Sequence, residues 1–208
     1  MDLRFSRSPM CGVNSRMKNV SSADISAASA VLQALRAARE AFFKVPETAM
    51  DQAASYVLRC ANKDGGFSYQ PPGPGAIPEG RKSNLARTGI GVLCLLACGK
   101  SERPEVKRGV EWLRKHPQLM ERPLAMAAYS AYYTVLAMYQ ARTVVGDTAW
   151  NEWYPQIQAQ ILKTQMKDGS FQVTNRGYAG GTWGPEIDSG LMLIALSVQK
   201  SLLPLFQR

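Results

Sequence analysis

Gln160-Ile161-Leu162-Lys163-Thr164-Gln165-Met166-Lys167-Asp168-Gly169-Ser170-Phe171 is the stretch on which the fold turns. It ends an amphipathic run in which Trp150, Trp153, Tyr154, Ile157 and Ile161 share one helical face, and Asp168-Gly169 then stops the helix. Glycine accepts the left-handed backbone that such a stop requires. A Gly-rich connection follows, Tyr178-Ala179-Gly180-Gly181-Thr182-Trp183-Gly184-Pro185, and then a nearly all-apolar run from Glu186 to Gln199. The same order occurs earlier: Asn62-Lys63-Asp64-Gly65-Gly66-Phe67 repeats the turn, Tyr69 to Gly80 forms a Gly/Pro-rich loop, and an apolar helix runs from about Ser83 to Cys98. The two Asp-Gly turns stand 104 residues apart, from Asp64 to Asp168. That is two units of about 52 residues, the spacing of a repeated helical hairpin.

Working outward, Asp24 or Ser26 can cap a helix in which Ile25, Ala28, Val31, Leu32, Leu35 and Phe42 recur at helical spacing until Pro46 interrupts it. Met50, Ala54, Val57, Leu58 and Ala61 then form one apolar stripe. Pro104 opens a charged helix with Val106, Val110 and Leu113 on one side. After Pro123 comes an aromatic stripe, Tyr129, Tyr132, Tyr133, Leu136 and Tyr139, broken by Gly146-Asp147. Helices that are apolar all round alternate with helices that have one wet face, and a last apolar helix closes the series. Helices without a wet face belong inside, and the others belong outside. The sequence therefore predicts an all-α fold of about seven main helices in two concentric layers, an α/α barrel or part of one. Residues 1–22 show no sustained period and read as an unstructured arm; residues 23–208 read as the helical domain.

Composition narrows the function classes. The chain has 208 residues, 46% hydrophobic and 20% charged, enough for a real core in one domain. Its net charge is +9, but the compact basic cluster from Arg103 to His116 is interleaved with Glu105 and Glu111, the pattern of a solvated helix face. No aromatic-lined basic groove accompanies it, so nucleic acid is not an expected partner. Cys11, Cys60, Cys94 and Cys98 form no Cys-x-x-Cys pair, and Cys94 and Cys98 read as small buried thiols. The N-terminus lacks the apolar core of a signal peptide and no run reaches membrane-spanning length, which reads as cytoplasmic as written, with export open if the true start lies upstream.

Gln165-Met166-Lys167-Asp168-Gly169-Ser170-Phe171 resembles the repeat motif of the prenyltransferase and squalene-oxidase repeat family, which includes the triterpene cyclases. Arg87-Thr88-Gly89 at the start of an inner helix, Trp150-Asn151-Glu152-Trp153-Tyr154-Pro155, and the ending Leu203-Pro204-Leu205-Phe206-Gln207-Arg208 carry the same likeness, over about residues 27 to 208. The resemblance implies an α/α toroid of six hairpins around a cavity, with the Gln and the aromatic tying outer helices to their neighbours. Asp64, Gly65, Gly66 and Phe67, and Gln165, Asp168, Gly169 and Phe171, are then the structural motif. Cys60 stands near where the first turn should carry its Gln, and both turns have Phe where the family often has Trp.

The cyclases of this family protonate an alkene with an Asp-x-Asp-Asp acid, and no such tetrad occurs here. Glu186 and Asp188 are the one close carboxylate pair at the mouth of an inner helix, either as a catalytic acid or as groups favouring the helix dipole. Tyr129, Tyr132, Tyr133 and Tyr139, with Trp183 in the loop, either line a cavity, where aromatic faces stabilise cations, or pack the core. The family's protein prenyltransferases bind zinc through Asp, Cys and His, but His116 is the single histidine and sits on a charged helix, so neither metal nor cofactor is expected. Two functions remain open: a binding or scaffold module holding a peptide, an apolar or isoprenoid molecule or another subunit, and a terpene cyclase-like or isoprenoid-processing enzyme. Three hairpins plus one helix make just over half a ring, which implies a homodimer, a covering partner chain or a missing N-terminal half.

Overall fold

The structure, a computed structural model of the chain, describes residues 24–73, 76, 78–119, 126–171 and 185–200. Seven α-helices lie within them: α1 (Ile25–Glu40), α2 (Glu47–Arg59), α3 (Leu85–Ala97), α4 (Pro104–Lys115), α5 (Ala127–Val145), α6 (Thr148–Leu162) and α7 (Pro185–Ser197). Short 3-10 turns at Pro78–Arg81 and Val198–Lys200 complete the helical segments, and no strand occurs among the described residues.

Two of the inner helices start on side-chain caps. Asp24 accepts from the Ala27 amide at 2.9 Å and Asn84 from the Arg87 amide at 2.8 Å, each worth about 1 kcal/mol. Pro104 opens α4 at a position where its missing N–H costs nothing. α5 ends at Gly146, whose φ of 81° no other residue type adopts cheaply.

The layers follow the apolar pattern. α1, α3, α5 and α7 pack in sequence as an inner row; α2 lies against α1 and α3, α4 against α3 and α5, and α6 against α5. α3 has no wet face: Ile90, Val92, Leu93, Cys94 and Leu95 are all buried. α5 is the same, from Ala127 to Ala141. The outer helices bury one stripe each, Met50, Ala54 and Val57 on α2, Val106, Val110 and Leu113 on α4, and Trp150, Trp153, Tyr154, Ile157 and Ile161 on α6. The fold is all-α and toroid-like, an arc of two helical layers with the core between them.

α1 departs from the sequence pattern. It stops at Glu40, and Phe42 lies beyond it in the left-handed region, 98% exposed. Val31 is 55% exposed, so the helical spacing that linked it to Leu32 and Leu35 does not bury it. The reason is position: α1 has neighbours on one side, α2 and α3, and its far side has none among the described residues. The expected arm at residues 1–22 lies outside the described residues, and no described helix is long and apolar enough to cross a membrane.

Candidate functional site

The two Asp-Gly turns are the same object built twice. In the first, Gly66 donates to Asp64 Oδ1 at 3.0 Å, the Asn62 amide to Gly66 O at 2.8 Å, and Ala61 bridges to Phe67. In the second, Ser170 donates to Asp168 Oδ1 at 3.0 Å, the Met166 amide to Ser170 O at 2.8 Å, and Gln165 bridges to Phe171. Gly65 and Gly169 take φ of 96° and 87°. The backbone and hydroxyl of Ser170, both donating to Asp168, hold its carboxyl below the usual range.

This pairing sets the register. Ala61, rather than Cys60, stands where Gln165 stands, so the motif's Gln has no counterpart in the first turn. Gln165 itself is exposed and donates to Gly169 O, inside its own turn. The glutamine that ties elements together is Gln160, which takes the Leu119 amide at 2.9 Å and donates to Pro117 O, joining α6 to the segment after α4.

Phe67 and Phe171 are both fully buried, each under the first turn of an inner helix. The Phe67 amide donates to Thr88 Oγ1 and the Phe171 amide to Ser189 Oγ. Thr88 and Ser189 were not singled out from the sequence as partners of the turns. The signal lay in the pairs Thr88-Gly89 and Ser189-Gly190, a hydroxyl residue followed by glycine early in each apolar helix.

The four tyrosines of α5 divide into two groups. Tyr129 and Tyr132 both lean on Tyr133, with ring centroids 4.6 and 4.9 Å away. Burial raises the Tyr132 hydroxyl to about 12 and pushes that of Tyr129 up, against the hydrogen bond from Ser26 of α1 that lowers it. Tyr139 points to the outer layer, edge-on to Trp150 at 5.4 Å, with the Arg142 guanidinium 5.0 Å from its ring centre. Trp150 in turn stacks on Tyr154 at 4.2 Å, and Tyr154 donates to the carbonyls of Ala195 and Leu196 on α7. Trp183 lies outside the described residues.

Glu186 and Asp188 are likewise separated. Two residues apart on a helix, they point about 160° from one another: Glu186 is exposed, whereas Asp188 is 1% exposed. Arg36 of α1 donates to Gln140 of α5 at 3.3 Å, so side chains of these two inner helices meet.

The thiols are core groups. Burial raises Cys60 and Cys94 to about 12 and Cys98 above its ordinary value. His116 stacks on Trp112 at 3.9 Å with its Nδ1 2.7 Å from the Trp112 carbonyl, at the edge of an open groove between the first Asp-Gly turn and α4. Among the described residues no three His, Cys, Asp or Glu side chains converge as metal ligands.

Residues 19–121 match the family model for the squalene-hopene cyclase C-terminal domain. That model describes a prenyltransferase/squalene-oxidase repeat family. The match covers α1 to α4 with the first Asp-Gly turn, and stops before the second turn, whose Gln165 and Phe171 carry the family motif more fully. No curated protein matches the chain. The match suggests a terpene cyclase-like repeat domain, and the residues of the two Asp-Gly turns are the ones that staple those turns under inner helices.

Proposed function

We propose that the chain is a toroid-derived binding or scaffold module, which holds a protein or an apolar, isoprenoid-like molecule and performs no chemistry on it. The observation that carries this reading is the separation of Glu186 from Asp188, the carboxylate pair at the mouth of α7. An acid strong enough to protonate an alkene has to sit in the same enclosure as the cation-stabilising rings. Glu186 faces outward, Asp188 is buried on α7, and the Tyr129, Tyr132 and Tyr133 cluster stands beside α1.

The second reading is a terpene cyclase-like or isoprenoid-processing enzyme with Asp188 as its acid. It is favoured by the near-complete burial of that carboxylate in the first turn of an inner helix. Incubation of the folded protein with squalene and with prenyl diphosphates separates the two. Inertness of a well-folded sample is the expected result; turnover that disappears in Asp188→Asn would overturn the scaffold reading.

A further inference from the structure

The inner helices share one register, and it shows which faces the described residues leave uncovered at each end of the arc. On α3, Gly89 faces the following inner helix: a Cβ there would lie 2.8 Å from the backbone of Tyr133 and Thr134 on α5. Val92 faces the following outer helix, against Gly109 of α4. Cys94 faces the preceding inner helix, in hydrogen-bond contact with Ser29 of α1. The shared turn contacts, Phe67 on Thr88 and Phe171 on Ser189, place Gly190 on α7 where Gly89 is on α3. Leu193 then corresponds to Val92, Ile187 to Ala86 and Ala195 to Cys94.

Burial follows this register closely. Ala195, on the preceding side, is fully buried. On the following side, Ile187 is 49% and Leu193 54% exposed, where Ala86 and Val92 are buried, and no described atom lies within 4 Å of a Cβ at Gly190. α7 therefore presents the face that α3 uses to seat its next helix, with the bare glycine in place.

The opposite end is the matching half. The shared caps Asp24 and Asn84 align α1 with α3, so Ser29 corresponds to Gly89 and Ala34 to Cys94. Ser29 is buried against α3, as a following-side residue should be. The preceding side of α1 is exposed and carries only small apolar residues, Ala27, Ala30, Val31 and Ala34. A solvent face of a helix is ordinarily charged, and a contiguous apolar one marks a contact surface.

We propose that α7 of one copy seats α1 of a second copy, head to tail, repeating between chains the inner-helix contact that joins α1 to α3 and α3 to α5 within one. A second copy is the occupant the structure supports, because the chain itself carries both halves of the interface in the register its own helices use. Such a heterologous contact closes into a two-chain ring or extends, according to the rotation per copy. It does not depend on whether the arc binds a ligand, so it survives failure of the scaffold reading.

The test is light scattering on the full chain with two variants. Gly190→Leu adds bulk at the seat without meeting any described atom, and Ala34→Glu puts a charge on the opposite face. The wild type is expected to show at least twice the mass of one chain, and each variant to weaken association by about tenfold or more while keeping its helical circular dichroism. Mixing the two variants should restore association, since the mixture still contains one intact α7 face and one intact α1 face. A monomeric wild type overturns the proposal. So does failure of the mixture to associate, which would indicate a two-fold contact of like faces, and so does loss of stability in a monomeric Gly190→Leu chain, which would assign the seat to the chain's own residues.

Discussion

The turn at Asp64 and the turn at Asp168 have the same hydrogen bonds and the same buried phenylalanine, yet their surroundings differ at every flanking glycine. Gly65 abuts the Arg108 carbonyl of α4, 3.0 Å from where a Cβ would be; nothing described lies within 4 Å of one at Gly169. Gly89 is pressed on α5, and Gly190 is open. Local sequence makes the turn, and the next hairpin makes it tight. The difference separates what a repeat does for itself from what its neighbour does for it, and it makes the paired substitutions below informative.

The largest effect belongs to the phenylalanines. The Phe67 ring sits between α3 and α4, 2.4 Å from a Cβ at Gly91 and 3.3 Å from one at Gly109, so no side chain larger than glycine fits on either side. Phe67→Ala should cost about 3–5 kcal/mol in chemical denaturation, and Phe171→Ala should fall at the low end of that range, since among the described residues no outer helix follows α7 as α4 follows α3. Equal losses would show that the inner helix alone holds each ring.

Gly89 and Gly190 come next. Gly89→Ala forces α3 from the α5 backbone and should destabilise by about 2–3 kcal/mol. In chain diluted until the copies separate, Gly190→Ala meets no described atom, its φ is not in the left-handed region, and alanine is the better helix former, so it should stabilise by about 0.5–1 kcal/mol. Opposite signs in thermal denaturation of the dissociated chain are the expected result; a destabilising Gly190→Ala there would mean that the chain's own residues already fill the α7 face.

A smaller contrast is expected in the turns. Both glycines are left-handed, so Gly65→Ala and Gly169→Ala each cost about 1–2 kcal/mol of backbone strain. Gly65→Ala adds a tight approach to the Arg108 carbonyl, and should exceed Gly169→Ala by about 1 kcal/mol. Identical costs would remove α4 from the account of the first turn.

The layers and both turns were legible in the sequence because they rest on local rules: apolar period, Pro starts, and glycines where the chain turns left-handed. The stripe on α6 and the unbroken apolarity of α3 and α5 carried directly into burial. What was not legible depends on which neighbour is present. Val31 on α1 and Leu193 on α7 have the spacing of core residues, and their exposure follows from the lack, among the described residues, of a helix on those sides. The carboxylate pair was close in sequence, but a helix separates residues two apart onto different faces. The tyrosine stripe divided for a related reason: α5 is surrounded, so Tyr139 found the outer layer while Tyr129 found α1.

The smallest effect concerns pH, and it also tells the two units apart. All four cysteines precede residue 99, so the second unit has no thiol to titrate. Burial at the crossing of α1 and α3 raises Cys94 from 9.0 to about 12. The folded state therefore keeps the proton that the unfolded chain releases as pH rises through 9. Its contribution is fully present below pH 9 and is lost between 9 and 12, so stability falls with rising pH. From pH 9 to 10 Cys94 should remove about 1 kcal/mol, and the raised tyrosines Tyr56, Tyr129 and Tyr132, which begin to ionise in the unfolded chain over the same interval, together add about as much. Cys60 is shifted in the same direction and adds to the slope. Melting curves at pH 8, 9 and 10 check this against Cys94→Ala, which should start less stable for want of the buried sulfur but decline less steeply. If the variant declines as steeply as the wild type, the alkaline loss does not arise at the α1 and α3 crossing, and the first unit is no more sensitive to base than the second.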